Sequence, residues 1–220
     1  KNKFKYYLEI GVDRGRTFFK INNRFKTAVD PVMKIGKCEK IKMIKKNYWN
    51  IFNQYYELSS DEYFIKDKYA LNRKGLQVVL IDGLHSFSQS LKDTENSLKY
   101  LHNNGLIILH DCNPQSYTSS YPANSISEAE EKNLKDWDGS WSGDVWKTIL
   151  FLRSKHADLN VCVLNCDHGL GIVRKGEPDS MLDFSMDEIK SFDYYFDFKK
   201  NRDLWLNLKE YNSNIFDLLF

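Results

Sequence analysis

The hydrophobic positions of this chain alternate between short apolar runs and longer amphipathic stretches. The apolar runs have the length of β-strands and are predicted at residues 6–10, 26–29, 55–58, 77–81, 106–109, 159–164 and 171–174. Apolar residues at helical spacing lie between most of them, as in proteins in which each strand of a parallel sheet is followed by a helix. The pattern therefore predicts an α/β fold, Rossmann-like and doubly wound, with a mostly parallel seven-stranded sheet.

The connections between these runs predict the helices and one hairpin. Helices are expected from about Arg14, over residues 33–46, from the S-x-x-Q capping signal at Ser86 to a stop at residues 103–105, and over residues 145–153. The last two strands are separated by a short connection, and strands so joined pair as an antiparallel hairpin. The sheet is therefore expected to end in a C-terminal antiparallel hairpin.

The chain is organised as one main domain with an insert and an extension. Residues 1–176 hold all the predicted strands, and residues 112–143 interrupt them with a long polar stretch rich in Ser, Tyr and Asn. Loops of that length are uncommon in compact domains and are often functional, so this insert is a candidate lid. Residues 177–220 have helical periodicity and many aromatic side chains. We expect them to pack on the same domain, and they are also a candidate homodimer interface.

Composition disfavours several classes of partner. The formal net charge is +2, and the basic residues are scattered among acidic ones, so no basic face for nucleic acid is expected. No apolar run approaches the ~20 residues that a membrane span requires. The four cysteines show neither a CxxC pair nor zinc spacing, which favours free thiols in a reducing compartment. A cytoplasmic protein without membrane or nucleic-acid partners is therefore predicted.

Polar residues concentrate at the ends of four predicted strands. Ligands of open parallel sheets bind beyond the carboxyl ends of the strands, so four such ends predict one ligand site. The glycine spacing matches neither the G-x-G-x-x-G dinucleotide fingerprint nor a P-loop. The residues at these ends are Glu9 with Gly11 and Gly15, then Asp30, then Asp82 with Gly83 and His85, and finally His110 with Asp111.

Two of these ends also have a purely structural interpretation. A glycine turn allows a ligand to approach the main chain, but it is about as often simply a turn. Asp30 is placed to accept hydrogen bonds from the hydroxyl groups of a ribose. Equally, Asp30 before Pro31 is typical of a turn or helix-cap carboxylate. The residues alone leave both interpretations open.

Seven stretches together resemble class I S-adenosylmethionine-dependent methyltransferases. They are YLEIGVDRGRTF, AVDP, SSDEYF, VVLIDGLHSFSQSLKDTENSLKYL, GLIILHDCNP, GDVWKTILFLR and DHGLGIVRKG, which span about residues 6–176. The chain is particularly similar to a small bacterial branch with IDG-x-H after the fourth strand and HD after the fifth. These two motifs are the most specific part of the resemblance, because the glycine turn occurs in many folds.

The resemblance implies S-adenosylmethionine as the cofactor. This molecule carries a sulfonium and an amino acid rather than a pyrophosphate, which agrees with a glycine turn that lacks a P-loop lysine. The residues that the resemblance assigns to the cofactor are, for the methionine part, Gly11, Val12 and Gly15, with Glu9 and Thr17 beside them; for the ribose, Asp30; for the adenine, Ser60 and Asp61; and for the departing methyl group, Asp82, Gly83 and His85.

A divalent metal is a further implication of the resemblance. Some sugar- and macrolide-directed relatives hold a metal with an Asp after the fourth strand and an acidic pair after the fifth. Asp82 and Asp111 match two of these places, and His110 replaces the third. Mg²⁺ prefers oxygen ligands, whereas a histidine favours softer ions such as Mn²⁺. The candidate metal ligands are therefore Asp82, His110 and Asp111, unless His110 points into the fold and donates to a main-chain carbonyl.

The predicted reaction is O-methylation of a small-molecule or carbohydrate acceptor. Transfer requires the acceptor hydroxyl to be aligned and its proton removed, and a general base contributes ~10²–10⁴-fold. His85 is the candidate base, because an unperturbed imidazole titrates near physiological pH. Asp82 and Asp111 are the other candidate catalytic residues. The alternative for His85 is that it only orders its loop.

Two further functions remain open from the residues. The first is a metal-dependent hydrolase or oxygenase that uses the Asp/His cluster at positions 82, 85, 110 and 111. This scheme gives the glycine turn no role. The second is a non-catalytic domain that keeps the methyltransferase fold and binds a partner. Its mark would be a cofactor pocket filled by bulky residues, whereas positions 11 and 15 remain glycine.

Overall fold

A computed structural model describes residues 4–211 of the 220-residue chain. Its strands, in chain order, are β1 Tyr6–Ile10, β2 Phe25–Val29, β3 Gln54–Tyr56, β4 Leu76–Ile81, β5 Leu101–Leu109, β6 Leu159–Asn165, β7 Leu170–Lys175 and β8 Leu208–Glu210. They form one eight-stranded sheet in the order β3-β2-β1-β4-β5-β7-β6-β8. The predicted α/β, Rossmann-like class is therefore confirmed.

Eight α-helices lie between or after these strands in the described part of the chain. They are α1 Lys37–Lys46, α2 Ser60–Lys66, α3 Lys68–Lys74, α4 Phe87–Tyr100, α5 Ile126–Glu131, α6 Trp146–Lys155, α7 Met186–Ser191 and α8 Lys199–Leu206. A 3₁₀ turn covers Tyr48–Phe52, and one turn of π-helix covers Tyr194–Phe198. No helix within residues 4–211 combines the length and the apolar character needed to cross a bilayer.

The sheet has one more strand than the seven predicted. β8 runs parallel to β6, pairing Val163 with Leu208 and Asn165 with Glu210. Its three residues, Leu-Lys-Glu, are too few to show strand periodicity, so the sequence pattern does not reveal them. The predicted hairpin is confirmed, because β6 and β7 pair antiparallel from Leu159 opposite Lys175 to Leu164 opposite Leu170.

The described chain divides into two compact units, residues 4–84 with 92–108 and residues 85–91 with 109–211. In the first unit β1 pairs in parallel with β2 on one side and β4 on the other. Leu8 and Val79 are fully buried, as expected of strands covered on both faces. A hydrophobic cluster beside them contains Tyr7, Val12, Phe18, Ala28 and Ile35.

The helix predicted from about Arg14 is wrong. Residues 13–20 form successive turns, in which Phe19 N–H donates to the Gly15 carbonyl and Lys20 N–H to the Thr17 carbonyl. The buried ammonium of Lys26 donates to the Phe18 carbonyl at 2.7 Å and to the Ile21 carbonyl at 3.0 Å. In a continuing helix these two carbonyls would accept from main-chain N–H groups four residues further along.

The stop predicted at residues 103–105 is also wrong. α4 ends at Tyr100 and β5 starts at Leu101, so these residues lie within a strand. Gly105 is needed for a different reason than a left-handed cap. A Cβ added there would lie 2.6 Å from the Leu101 side chain, so the glycine makes room for that leucine.

The second unit is organised around α6, whose residues from Trp146 to Leu150 are all buried. Arg153 on this helix donates to the main-chain carbonyls of Leu204 and Trp205 and, at 2.7 Å, to the Ser180 hydroxyl. Because Arg153 is itself buried, these acceptors replace the water that its guanidinium loses. This side chain therefore ties the segment that leads into β8 to the unit's core.

The polar insert at residues 112–143 is not entirely irregular, because α5 lies within it. Ser125 caps this helix by accepting a hydrogen bond from Glu128 N–H. All four cysteines are free thiols, with Cys112 and Cys162 buried. The division into a 1–176 domain and a 177–220 extension remains a prediction, and residues 212–220 lie outside the described part of the chain.

Candidate functional site

The turn after β1 is closed by a contact that only glycine permits. Gly11 N–H donates to the Val29 carbonyl, while the next strand's Asp82 N–H donates to the Ile10 carbonyl. Gly11 has φ +84°, and a Cβ at this position would lie 1.9 Å from the Asp82 carbonyl oxygen. The glycine thus satisfies two requirements, a left-handed conformation and direct main-chain contact with the end of β4.

Gly15 closes the other side of the turn. It has φ +72°, and an added Cβ would meet the Phe19 ring at 2.8 Å and the Ile35 side chain at 2.9 Å. Val12 between the glycines is buried in the core, so a ligand outside the turn would meet its main chain rather than its side chain. Thr17, predicted at a helix start, is exposed and lies in the turns that follow.

Asp30 supports the same turn from the end of β2. One carboxylate oxygen accepts from Asp13 N–H at 2.7 Å, and the other accepts from Val32 N–H at 2.8 Å. Asp13 needs this support because it has φ +45°, which is unfavourable for a residue other than glycine. Asp30 therefore does act as a turn carboxylate. Each of its oxygens has a second lone pair, so the predicted ribose contact stays compatible with this role.

Glu9 is a buried carboxylate on β1, accessible over only 2% of its surface. It accepts a short hydrogen bond from the Tyr7 hydroxyl. The pKa of Glu9 is raised from its ordinary value near 4.5 to about 7. Burial is the main cause and the negative charge of Asp82 adds to it, while the Tyr7 hydrogen bond and the Lys26 charge oppose the shift. Burial likewise lowers the pKa of Lys26 to about 8.

Asp61 lies in the first turn of α2, shortly after β3. One carboxylate oxygen, Oδ2, forms an ion pair of 2.6 Å with Lys92. The other oxygen, Oδ1, is buried and has no hydrogen-bond donor among the residues that the structure describes. A buried acceptor without a donor is costly, so it marks a place where a ligand donor would be stabilising. Ser60 beside it is also buried.

The capping box that starts α2 was not identified from the sequence. Ser59 accepts from Glu62 N–H, and the Glu62 carboxylate accepts from Ser59 N–H at 3.0 Å. The S-x-x-E signal for it is present in the chain at residues 59–62. This box fixes where the helix begins and therefore where Asp61 is placed.

Asp111 is the centre of the polar groups in the second unit. It has φ +62° and is 5% exposed. Its Oδ1 accepts from the Ser142 hydroxyl at 2.9 Å. Its Oδ2 lies 3.0 Å from His110 Nδ1 and 3.4 Å from His85 Nδ1. Three predicted residues of this unit, His85, His110 and Asp111, thus have side chains close to one another. Asp82 and Gly83 are part of the first unit.

His85 is held by the far end of the insert. Its Nδ1 is 2.8 Å from the Trp141 carbonyl oxygen, and the two rings stack with centroids 5.1 Å apart. A carbonyl can only accept, so Nδ1 carries a hydrogen, and in the neutral ring the basic lone pair is on Nε2. Gly143, with φ +59°, contacts the His85 main chain, because a Cβ there would lie 1.8 Å from the His85 carbonyl oxygen.

Ser142 and Gly143 are the residues that sequence reasoning missed. Their main-chain N–H groups both donate to the Ser119 carbonyl, at 2.8 and 2.9 Å. The neighbouring Trp141 is an aromatic residue of the polar insert, but it points to no particular role for these two residues. Within a polar insert without periodicity, a serine and a glycine do not stand out.

His110 lies between two carboxylates. Its Nδ1 faces Asp111, and its Nε2 lies 3.5 Å from Asp167 Oδ2. Two ligands in neighbouring positions around an ion at ~2.1 Å are separated by about 3 Å, as are two hydrogen-bonded atoms. The His110–Asp111 separation fits either arrangement. These side chains therefore have the donor types for a divalent ion such as Mn²⁺, with Asp82 as the remaining predicted ligand.

Residues 8–112 match the model of a family described as "Methyltransferase domain". No curated protein matches. The predicted resemblance to methyltransferases is confirmed, and the assignment to the branch with IDG-x-H and HD motifs stays a prediction.

Solved structures share the fold at low sequence identity. A Staphylococcus aureus protein provisionally described as a caffeoyl-CoA O-methyltransferase is 19% identical, with a TM-score of 0.56 over 78% of this chain and 76% of that one. The SAH-bound Podospora anserina methyltransferase PaMTH1 is 15% identical, with a TM-score of 0.53 over 79% of this chain and 72% of that one. At this identity the likeness establishes the fold.

Gly11→Ala tests the contact between the turn and β4. We expect the free energy of unfolding to fall by about 3 kcal/mol or more, because the left-handed conformation alone costs ~1–3 kcal/mol and the Asp82 carbonyl must also move. Urea denaturation measures the change. Gly36→Ala is the matched control, since nothing lies within 4 Å of a Cβ at that position. Equal stability of the two variants would contradict the contact.

Glu9→Gln tests the burial of the Glu9 carboxylate. The folded-state pKa of about 7 lies above the unfolded value, so the folded state binds the extra proton and wild-type stability falls as pH rises from about 5 to 8. Glutamine removes this loss. The free energy of unfolding of Glu9→Gln minus that of wild type should therefore rise by on the order of 3 kcal/mol across this range.

Denaturant titrations at a series of pH values measure that difference. Glu57→Gln removes a carboxylate at an exposed position and serves as the control for the loss of one negative charge. A flat difference for Glu9→Gln would refute the assignment of a buried, proton-binding carboxylate.

The hydrogen on His85 can be observed directly. Because Nδ1 faces the Trp141 carbonyl, the neutral ring should be the Nδ1–H tautomer, whereas the Nε2–H form is the commoner one in solution. Long-range ¹H–¹⁵N spectra of the ¹⁵N-labelled protein distinguish the two tautomers, and a His85→Gln sample assigns the signal. Detection of the Nε2–H form would show that the Trp141 contact does not hold the ring.

Proposed function

We propose that this chain is an S-adenosylmethionine-dependent methyltransferase that methylates an oxygen of a small-molecule or carbohydrate acceptor. The observation that carries the proposal is the buried Oδ1 of Asp61 in the first turn of α2, which has no donor among the described residues and lies in the unit that also holds the β1 turn. The methyltransferase family match over residues 8–112 covers the same strands.

The residues of the first unit fit the parts of this cofactor. The exocyclic amine of adenine is a hydrogen-bond donor, which is what Asp61 Oδ1 lacks within the described residues. The remaining lone pairs of Asp30 suit the two ribose hydroxyls. The turn at residues 11–15 presents main chain to the methionine part. Glu9 carries its charge only above its pKa of about 7, so at neutral pH it is partly ionised beside that turn.

His85 is the group that we assign to remove the acceptor's proton. When bound, the cofactor supplies a methyl group made electrophilic by its sulfonium. With hydrogen fixed on Nδ1, the Nε2 lone pair is the basic one, and the Trp141 carbonyl keeps the ring in one orientation. Asp111, 3.4 Å from Nδ1, stabilises the imidazolium that forms on proton uptake. This arrangement supports a base for a hydroxyl acceptor.

The insert supports a flat or sugar-like acceptor. Trp141 stacks on His85, and its indole N–H donates to the Tyr121 carbonyl at 2.9 Å, so its ring is fixed. Tyr117 stacks on Tyr195 with ring centroids 5.2 Å apart. Aromatic faces held in this way suit the apolar faces of sugars and of aromatic acceptors. These contacts agree with O-methylation but do not select one acceptor.

A divalent ion is compatible with the same polar centre. In the second unit its candidate ligands are His85 and Asp111, whose Nδ1 and Oδ2 lie 3.4 Å apart, and Asp82 and His110 stay predicted ligands. Such an ion would lower the pKa of an acceptor hydroxyl and orient a sugar diol. In that state, His85 would bind the metal through a nitrogen and Asp111 would supply the oxygen ligand.

Calorimetric titration with S-adenosylhomocysteine tests the proposed function. Wild type should bind the product at micromolar concentration, and Asp61→Ala should bind it about ten-fold more weakly, because the adenine amine loses its acceptor. Lys92→Met is the matched control, since it breaks the Asp61 ion pair but leaves Oδ1 in place. Its affinity should stay within about two-fold of wild type.

Two results would count against the proposal. Absence of binding to folded wild type would remove S-adenosylmethionine as the cofactor. Binding that Asp61→Ala and Lys92→Met weaken equally would show that the ion pair, rather than the donor-free oxygen, matters. Circular dichroism of each variant establishes that it is folded before the titration.

A further inference from the structure

A hollow of about 320 Å³ in the second unit is lined mainly by cationic and polar side chains. Its lining residues are Gln115, Tyr194, Lys199, Lys200, Arg202 and Asp203. They come from the start of the insert, the π-helical turn and α8. Three of these side chains, Lys199, Lys200 and Arg202, are cationic, and one, Asp203, is a carboxylate. The hollow therefore carries an excess of positive charge, and the function proposed above does not use it.

The guanidinium of Arg202 is held by hydrogen bonds to uncharged groups of the described residues. Its Nη2 donates to the Pro114 carbonyl and to the Tyr194 hydroxyl, both at 3.0 Å, and the group lies 5.5 Å from the centre of the Phe198 ring. Its Nη1 reaches only Gln115 Oε1, at 3.5 Å. Within residues 4–211 no carboxylate forms an ion pair with Arg202. A guanidinium that is held in place, and whose Nη1 makes one long hydrogen bond to Gln115, is suited to binding an anionic ligand.

Tyr194 adds a buried donor to the same wall. The side chain is 5% exposed, and its hydroxyl oxygen accepts from Arg202. The hydroxyl hydrogen has no acceptor among the described residues. Burial raises the pKa of Tyr194, so the hydroxyl stays protonated at neutral pH and can donate. Tyr194 begins the single turn of π-helix, a conformation that recurs at functional sites.

The other acidic groups nearby do not neutralise the hollow. Asp193 is used at its own turn, where its side chain accepts from the N–H groups of Tyr195 and Phe196. The Asp197 carboxylate accepts from Asp193 N–H at 2.8 Å. Both charges act on Lys147.

We propose that this hollow binds a phosphoryl group. A tetrahedral dianion has enough oxygen acceptors for the Tyr194 hydroxyl, the open nitrogen of Arg202 and the ammonium groups of Lys199 and Lys200. The ligand is either free phosphate or a phosphorylated small molecule. The second case would make the acceptor of the reaction a phosphorylated compound, and that reading rests on the proposed function.

Calorimetric titrations with inorganic phosphate, glucose 1-phosphate and glucose test the inference on the whole chain. Phosphate should bind at millimolar concentration or tighter, and added NaCl should weaken it. Lys199→Gln with Lys200→Gln should weaken binding about ten-fold, and Tyr194→Phe about five-fold through its lost donor. Lys132→Gln with Lys135→Gln removes the same charge from exposed positions of the insert and should leave the affinity unchanged.

The outcomes distinguish free phosphate from a phosphorylated small molecule as the ligand. They also distinguish this inference from the proposed function. Glucose 1-phosphate binding more tightly than phosphate indicates a phosphorylated small molecule, and equal binding indicates the free anion. Glucose binding as tightly as glucose 1-phosphate would overturn the inference, as would no phosphate binding or equal weakening by both lysine pairs. The S-adenosylhomocysteine titration is independent, so its failure with phosphate binding retained would contradict the proposed function alone.

Discussion

The main-chain contact between Gly11 and the end of β4 is the constraint on which the first unit depends. β1 and β4 are neighbours in register, so the residue that leaves β1 must turn directly against the Asp82 carbonyl. No side chain fits there, and the chain must also adopt a left-handed conformation. Once it turns, the N–H of Asp13 reaches the carboxylate of Asp30 at the end of β2. One steric requirement thereby sets the positions of several predicted ligand groups.

In the second unit a single residue, Asp111, likewise positions several polar groups. Its left-handed main chain directs the carboxylate toward His85, His110 and Ser142, and the Trp141 carbonyl fixes the same His85 nitrogen. The insert is thus part of the polar centre through residues 141–143. The cationic hollow also starts at this insert, since Gln115 lines it four residues along the chain from Asp111.

The sequence predicted the elements whose signals are local and continuous. β4 contains the apolar run Val78–Ile81, and the strands β1 and β2 are followed directly by Gly11 and Asp30. The prediction of a helix after Gly15 was wrong. The ammonium of Lys26, on the following strand, donates to the carbonyls of Phe18 and Ile21, and no local sequence signal reveals this contact. The predicted start of β5 was too late, because Asn-Asn-Gly at residues 103–105 has the composition of a helix stop. Gly105 is instead required within the strand, where it leaves room for the Leu101 side chain. Ser142 and the free oxygen of Asp61 depend on tertiary contacts, which no spacing reveals.

A crystal structure of the chain with S-adenosylhomocysteine would show whether Asp61 holds the adenine. We expect the adenine amine within hydrogen-bonding distance of Asp61 Oδ1, the ribose hydroxyls at Asp30, and the amino-acid part against the main chain of residues 11–15. Electron density for the ligand anywhere else, with Asp61 Oδ1 bonded to a group of the protein itself, would contradict this expectation.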